Sequence, residues 1–376
     1  MRRARRTSRR MLAATGALTA SLAACNALIG LDGDYELAGP TPPDATVEGA
    51  VEAGDAVTEA PADAGRGEYD GDYKGCWDER EKITLTAHLD NPAWKVPNPR
   101  GIPGARNAAS YTASPGVVHD NVTGLDWVME DDAGAPMTFA AAEAHCVALG
   151  ARLPERIELV TVQDWLRYAD GGPVNALEPL SDHAPGETFF WTRSPYQPNQ
   201  GQRWVANFEL GFGVSQANRT DSYQAKCVRT GDAGTTATGG ETSRACKFLR
   251  DERTHLEWDL VTAGPLPFAA AVLHCNDINT RFPLSTTPDR WRLPTYAEIL
   301  SLVDSQAASP ALVATLAQGT PKGGKYWTSS FAGGNPSEHL ALEIDDGSTS
   351  TTLSDAQQGF VRCVHEFDPT FPERKK

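Results

Sequence analysis

The chain has 376 residues, with 34 Lys plus Arg against 49 Asp plus Glu, and a net charge of −15. Such an acidic balance argues against nucleic-acid binding, because phosphate recognition needs clustered Lys and Arg. No apolar run approaches the roughly 18 residues of a membrane-spanning helix, so no helical span is expected either.

Taken in chain order, Arg2, Arg3, Arg5, Arg6, Arg9 and Arg10 form a basic n-region. Residues 11–24 follow, uncharged and mostly small or apolar. That run is too short to span a bilayer, which takes about 20 residues, and suits a signal-peptide h-region. It closes on Leu22-Ala23-Ala24-Cys25, which resembles a bacterial lipobox. Residues 1–24 are therefore expected to be a lipoprotein signal peptide, and Cys25 the lipidated residue. Two acyl chains anchor stably where one binds only marginally. Ser8-Arg9-Arg10-Met11-Leu12 also resembles a twin-arginine export signal. Without the six arginines of residues 1–24, 28 basic residues face 49 acidic ones, a net charge near −21.

Residues 25–75 are rich in Ala, Pro, Gly, Asp and Glu, as in Thr41-Pro42-Pro43-Asp44. They can bury too little apolar area to offset the entropy of ordering, so a disordered acidic tether is predicted. Two domains are expected after it, over 76–231 and 240–367, joined by a linker at 232–239 and followed by a tail at 368–376.

In the first domain Phe139, Ala142, Cys146 and Leu149 share one face of a predicted helix, with Thr138 as N-cap and Gly150 as its stop. A second helix is expected after Arg152-Leu153-Pro154, then strands over 189–192, 203–210 and 225–229. The second domain repeats the helix face with Phe268, Ala271, Cys275 and Ile278. After Arg292-Leu293-Pro294, Thr295 and Glu298 have capping-box spacing; Glu155 stands where Thr295 does, so that cap is altered in the first domain. Strands are expected over 325–329, 339–344 and 360–365. Two helices followed by short strands predict an α+β fold.

The correspondence is an internal repeat. Asp120 to Trp127 aligns with Asp251 to Trp258, and His145-Cys146 with His274-Cys275. Phe190-Trp191-Thr192-Arg193-Ser194 aligns with Tyr326-Trp327-Thr328-Ser329-Ser330, and Lys226-Cys227-Val228 with Arg362-Cys363-Val364. With Arg152-Leu153-Pro154 matching Arg292-Leu293-Pro294 these are five blocks in one order, and they make two copies of one domain. Equivalent cysteines then predict Cys146–Cys227 and Cys275–Cys363 disulfides. Each closes a long loop and is worth roughly 4.5 kcal/mol in the chain-entropy model. Cys76 and Cys246 remain, and pair by default.

Ser110-Tyr111-Thr112, Thr123-Gly124-Leu125 with Trp127, Trp291-Arg292-Leu293-Pro294-Thr295, Tyr326-Trp327-Thr328-Ser329-Ser330 and Arg362-Cys363-Val364 together resemble the DUF1566 family, or Lcl C-terminal domain, of bacterial exported proteins. The resemblance covers about 76–231 and 240–367. It implies two tandem C-type-lectin-like domains related to the formylglycine-generating-enzyme fold, and surface adhesins that bind glycans, including sulfated polysaccharides. Ala151 replaces the family Trp seen as Trp291, and His255 replaces the Gly seen as Gly124.

Trp127, Trp258, Trp191 and Trp327 are read as core anchors rather than a sugar platform. Arg152 and Arg292 are expected to be held by a carboxylate, Glu158/Glu298 or Asp120/Asp251. Calcium-dependent lectins of this fold use Glu-Pro-Asn or Gln-Pro-Asp; Gln197-Pro198-Asn199 is the nearest look-alike, with Asn207 and Glu209 downstream. Its companion Trp-Asn-Asp is absent, so no metal or other cofactor is assigned, calcium at Gln197–Asn199 being the sole candidate. Glu343, Asp345 and Asp346 are read as a solvated acidic edge.

No HExxH, GxSxG or Walker loop occurs, and no catalytic residue is assigned. The expectation is a non-enzymatic, lipid-anchored binding protein of the bacterial envelope, periplasmic or surface-exposed, with the outer membrane favoured by Asn26 after the lipid cysteine. Its ligand is expected to be a glycan, bound by loops at 169–188, 197–203, 319–325 and 333–338, with Gln197, Asn199 and Arg203 as candidate contacts. The alternative is a structural envelope protein that binds another protein. The acidic surface weighs against a strongly sulfated ligand.

Overall fold

Two successive stretches of chain build the same pair of small, mostly antiparallel sheets, and the equivalence extends to single hydrogen bonds. In the computed structural model the described residues are 81–84, 94–98, 105–129, 135–162, 189–207, 214–230, 241–245, 248–281, 290–305, 307–309, 311–312, 320–332, 335–348 and 351–367. All belong to one unit, Pro61–Lys376. The expected signal peptide, tether, linker and C-terminal tail, with Cys25, Cys76, Cys246 and Glu209, lie outside the described residues.

In the first copy β2 (Tyr111–Ser114), β3 (Val117–Asp120) and β4 (Leu125–Val128) form a meander completed by β8 (Val228–Thr230). Helices α1 (Phe139–Ala148) and α2 (Arg156–Thr161) follow, then a second sheet of β5 (Phe189–Pro195), β6 (Gln202–Asn207) and β7 (Val214–Asn218). In the second copy β9 (Glu241–Ala245), β10 (Phe248–Asp251), β11 (Leu256–Asp259) and β17 (Val364–Glu366) form the matching meander. Between them lie β12 (Ala263–Leu266), helices α3 (Phe268–Arg281) and α4 (Tyr296–Leu300), and β13 (Lys325–Ala332), β14 (Asn335–Glu343), β15 (Thr351–Ser354) and β16 (Gly359–Val361). Its second sheet runs β12-β16-β13-β14-β15. In the first copy the two extra pairings survive as single bridges, Met137 to Tyr223 and Phe190 to Gln224.

The α+β class is as expected, but strands also precede the helices, so the expected order of helices followed by strands is corrected. Their short apolar runs are interrupted by turn residues, and periodicity alone does not reveal such strands. The segment expected at 360–365 is two strands, parted at Arg362 and Cys363, and the strand expected at 225–229 is confined to β8. The strand expected at 203–210 is β6, starting one residue earlier at Gln202.

Each meander turns on a buried aspartate. Asp120 Oδ1 accepts the amides of Val122 (2.9 Å) and Thr123 (3.3 Å), and Asp251 Oδ1 accepts that of Arg253 (3.0 Å). The turn then passes through left-handed backbone at Gly124 (φ 73°) and at His255 (φ 58°), equivalent positions of the repeat. Glycine suits that region because it has no Cβ to clash.

A private core fills each copy. Phe139, Ala142, Trp191 and the Cys146–Cys227 disulfide form one; Ala271, Trp291, Trp327 and the Cys275–Cys363 disulfide form the other, against which Phe268 packs. Each disulfide ties the first helix of its copy to the approach of its last strand. Trp127, Trp191, Trp258 and Trp327 are all fully buried. Trp191 Nε1 donates to Met137 O and Trp327 Nε1 to Leu266 O, both at 2.7 Å. These tryptophans are core anchors.

A third cluster is shared between the copies, where α2 packs against α4 with Ile157, Leu159 and Val160 facing Tyr296, Ile299 and Leu300. The stretch leading into the first copy also docks on the second. Strand β1 (Glu81–Thr84) pairs antiparallel with β9, making it a fifth strand of that sheet. The stretch expected to begin the 76–231 domain thus lends a strand to the second copy's sheet, covering the open edge of β9. An edge strand left bare would expose a row of unpaired backbone groups.

Candidate functional site

The repeated Arg-Leu-Pro segments answer the question of what holds the arginines. Arg152 grips Glu158 through two bonds of 2.7 Å, and Arg292 grips Glu298 at 2.7 and 2.6 Å. Of the two carboxylates open from the sequence, the glutamates are the partners, and the aspartates serve the turns. Each glutamate also caps its helix. Glu298 accepts the Thr295 amide (2.8 Å) while Thr295 Oγ1 accepts the Glu298 amide (3.2 Å), completing a capping box. In the first copy Glu158 accepts the Glu155 amide (2.7 Å), and the Glu155 carboxylate is drawn to Arg193 and Ser194 Oγ. These arginines are structural, since both forks of each guanidinium are committed.

In the second copy this network receives the upstream stretch. Asn98 Nδ2 donates to Glu298 Oε1 (3.1 Å), and its Oδ1 accepts Thr295 Oγ1 (2.7 Å). Glu366 accepts the Arg106 amide (2.6 Å) and Asn107 Nδ2 (3.0 Å), and lies 3.5 Å from Arg292. Burial first, then the neighbouring charge of Glu298, raises the Glu366 carboxyl to about 7. Burial also opposes ionisation of Glu298, but Arg292 outweighs it and holds that carboxyl below its ordinary value. One guanidinium faces two carboxylates, and the proton settles on Glu366.

The calcium look-alike is a turn. Asn199 N donates to Tyr196 O (3.0 Å), Gln202 N to Asn199 O (2.9 Å), and Asn199 Oδ1 accepts the Gly201 amide (3.0 Å). Gln197 and Asn199 are exposed, and the Asn199 side chain is spent on its own loop. The acidic edge of the second copy is used in the same way. Asp345 Oδ1 accepts the Gly323 amide (3.0 Å), Asp346 accepts the Ser348 amide (2.8 Å) and the Tyr196 hydroxyl (3.3 Å), and Glu343 lies 3.8 Å from Lys325. Among the described residues one group brings three candidate ligand atoms together, Asp259, His274 and Cys363. The Cys363 sulfur is bonded to Cys275 and offers no thiolate. Of the expected ligand loops, 169–188 and parts of the 319–325 and 333–338 segments lie outside the described residues.

Arg203, where the expected loop at 197–203 meets the expected strand at 203–210, is on β6 and half-buried. Its guanidinium carbon lies 5.0 Å from the centre of the Phe139 ring, and that of Arg219 lies 4.9 Å from the same centre. Burial first, then the repulsion of Arg219, lowers the Arg203 pKa, with Glu143 on α1 opposing. Two like charges on one ring are costly unless something negative shares the place. Arg219 carries no motif and was not a candidate from the sequence. The signal that reveals it is register, since β6 pairs Arg203 with Ala217 and so brings Arg219 just beyond.

The fold and its bonds define a class of protein: a disulfide-pinned α+β repeat in which an Arg-Glu fork ties a short helix to the segment bridged to the last strand of its copy. Residues 247–365, which span the second copy, match the family model of the Lcl C-terminal domain, so that copy is similar to this family. No curated protein matches the chain.

Proposed function

We propose that this is a non-enzymatic binding protein, built of two tandem C-type-lectin-like domains and held at the bacterial cell envelope by lipid on Cys25. In this reading residues 1–24 are a signal peptide, the acidic stretch at 25–75 is a spacer, and the ligand is a glycan. The observation that supports it best is how the chemical groups are spent. The four described cysteines are bonded in pairs, and Arg152, Arg292, Glu158 and Glu298 close on one another. Among the described residues of the first copy, the turn bearing Gln197 and Asn199 faces solvent, with Arg203 and Arg219 beside it. Loops on a rigid scaffold are where binding specificity usually lies.

The test is a glycan array probed with the full chain in detergent, once with calcium and once with chelator. Saturable binding to a defined glycan set is expected, and a loss of signal in chelator would restore a metal to the Gln197–Asn199 turn. A blank array from correctly oxidised protein would overturn the glycan reading.

A further inference from the structure

The two copies part company at one position of the repeat. Val205 pairs with Trp191 as Ala341 pairs with Trp327, which makes Arg203 on β6 the counterpart of His339 on β14. By the next strand's register Arg219 is the counterpart of Asp355, and the backbone agrees: Phe139 N donates to Arg219 O as Phe268 N donates to Asp355 O. In the second copy the place is closed on itself. His339 is fully buried, stacks on Phe268 with ring centres 3.6 Å apart, and its Nε2 lies 3.1 Å from Asp355 Oδ1. In the first copy two guanidiniums occupy the same place against Phe139.

Nothing described neutralises that pair. Arg203 Nη1 is spent on the carbonyls of Gln200 (3.3 Å) and Gln202 (3.0 Å), and its buried Nε has no partner. Arg219 is exposed and, among the described residues, makes no ion pair. Glu143 on α1 opposes the charge repulsion at Arg203 without a hydrogen bond to it. The start of α1 adds to the positive field: its first turn holds no acidic residue, the Thr138 hydroxyl does not cap it, and Ala140 and Ala141 are exposed.

We propose that Arg203, Arg219 and the first turn of α1 form a binding site for a single carboxylate, carried by an acidic sugar, and that the second copy has lost this site to the His339–Asp355 pair. A carboxylate presents two coplanar oxygens, which match the guanidinium fork. The surrounding charge limits the ligand to isolated acidic groups. Fields are screened beyond roughly 8 Å at physiological salt, so one carboxylate feels the arginine pair, while a densely sulfated chain would lie along the acidic remainder of the surface. The identity of the carrier as a sugar rests on the glycan reading above; the anion site does not.

The experiment follows the arginine side-chain Nε–H resonances of the full chain in detergent by NMR while glucuronate, glucose, acetate or N-acetyl-aspartyl amide is added. Saturable shifts of Arg203 and Arg219 with glucuronate and none with glucose are expected. Arg219→Ala, at an exposed position, should weaken glucuronate about tenfold, the loss of one charge-assisted contact. Glu143→Gln should strengthen it about twofold, which a merely structural arginine pair would not do. Absence of any shift with glucuronate would overturn the site. Acetate binding as tight as glucuronate would keep the carboxylate site and overturn the sugar assignment, and acetate shifts that survive Arg219→Ala would reduce it to an adventitious ion only. Tighter binding of the aspartyl amide would overturn the sugar assignment and point to a protein carboxylate. Array binding of a neutral glycan that is indifferent to Arg219→Ala would leave the glycan reading standing and sink this one.

Discussion

Single residues carry most of the repeat's signature, and the left-handed turn is the clearest case. At Gly124 the backbone has φ 73°, where any side chain meets the following carbonyl. Gly124→Ala should cost about 1–2 kcal/mol, measured as a lower urea midpoint at unchanged slope. The second copy bears that strain in His255 and continues to fold, so the first copy should tolerate it too. Glu366 supports a prediction of opposite character. Its carboxyl rises from the ordinary 4.5 to about 7, so between these values the folded state holds a proton that the unfolded chain has released. The native state therefore binds more protons in that window, and stability from this group falls as pH rises from 4.5 through 7. Glu366→Gln should remove that decline, read as the difference between the two melting-temperature profiles across the window. His339 acts the other way. Its pKa is lowered by burial, with Asp355 opposing, so its contribution is whole above about 6.5 and is lost as pH falls from there through the lowered folded value. Subtracting the variant's profile from the parent's cancels this second effect.

At the scale of elements, the helices are short and owe little to propensity. Helix α2 has six residues and α4 has five, well under the length at which an isolated helix persists. They exist because Glu158 and Glu298 satisfy their leading amides and the Arg152 and Arg292 forks hold those carboxylates in place. The longer helices depend on covalent staples. Replacing Cys146 and Cys227 together by alanine should destabilise the protein by about 2–5 kcal/mol, seen in thermal unfolding under oxidising conditions. Since the shared cluster couples the copies, loss of this bond should lower one common transition rather than split it in two. A separate early transition for the first copy would refute that coupling.

Across the whole molecule, the packing unit is wider than the sequence repeat. Strand β1 completes the second copy's sheet, Asn98 closes on Thr295 and Glu298, and α2 covers α4. A fragment of residues 240–376 would expose all three surfaces, including Leu300 and Ile299 of the shared cluster, which are about 1% exposed in the full chain. Such a fragment should self-associate and bind a hydrophobic dye, by size-exclusion chromatography and fluorescence, whereas the full chain should not. A monomeric fragment with sharp near-ultraviolet dichroism would show that the copies fold independently.

Much of this was legible in the chain itself. Repeated Trp127 and Trp258, Trp191 and Trp327, and the paired cysteines lie where two copies of one pattern require them, because a residue kept at the same repeat position has the same neighbours in both. Helix faces followed from apolar spacing, and the Thr295–Glu298 cap from three-residue separation, since both signals are local. The early strands escaped because β2, β3 and β4 have four residues each, too few for alternation to distinguish from a loop. The docking of residues 94–98 and 105–107 on the second copy, and the meeting of Arg203 with Arg219, had no local signal. Both depend on hydrogen-bond partners and charges brought together across long loops, and only the tertiary structure fixes which edge, carboxylate or ring a distant residue will find.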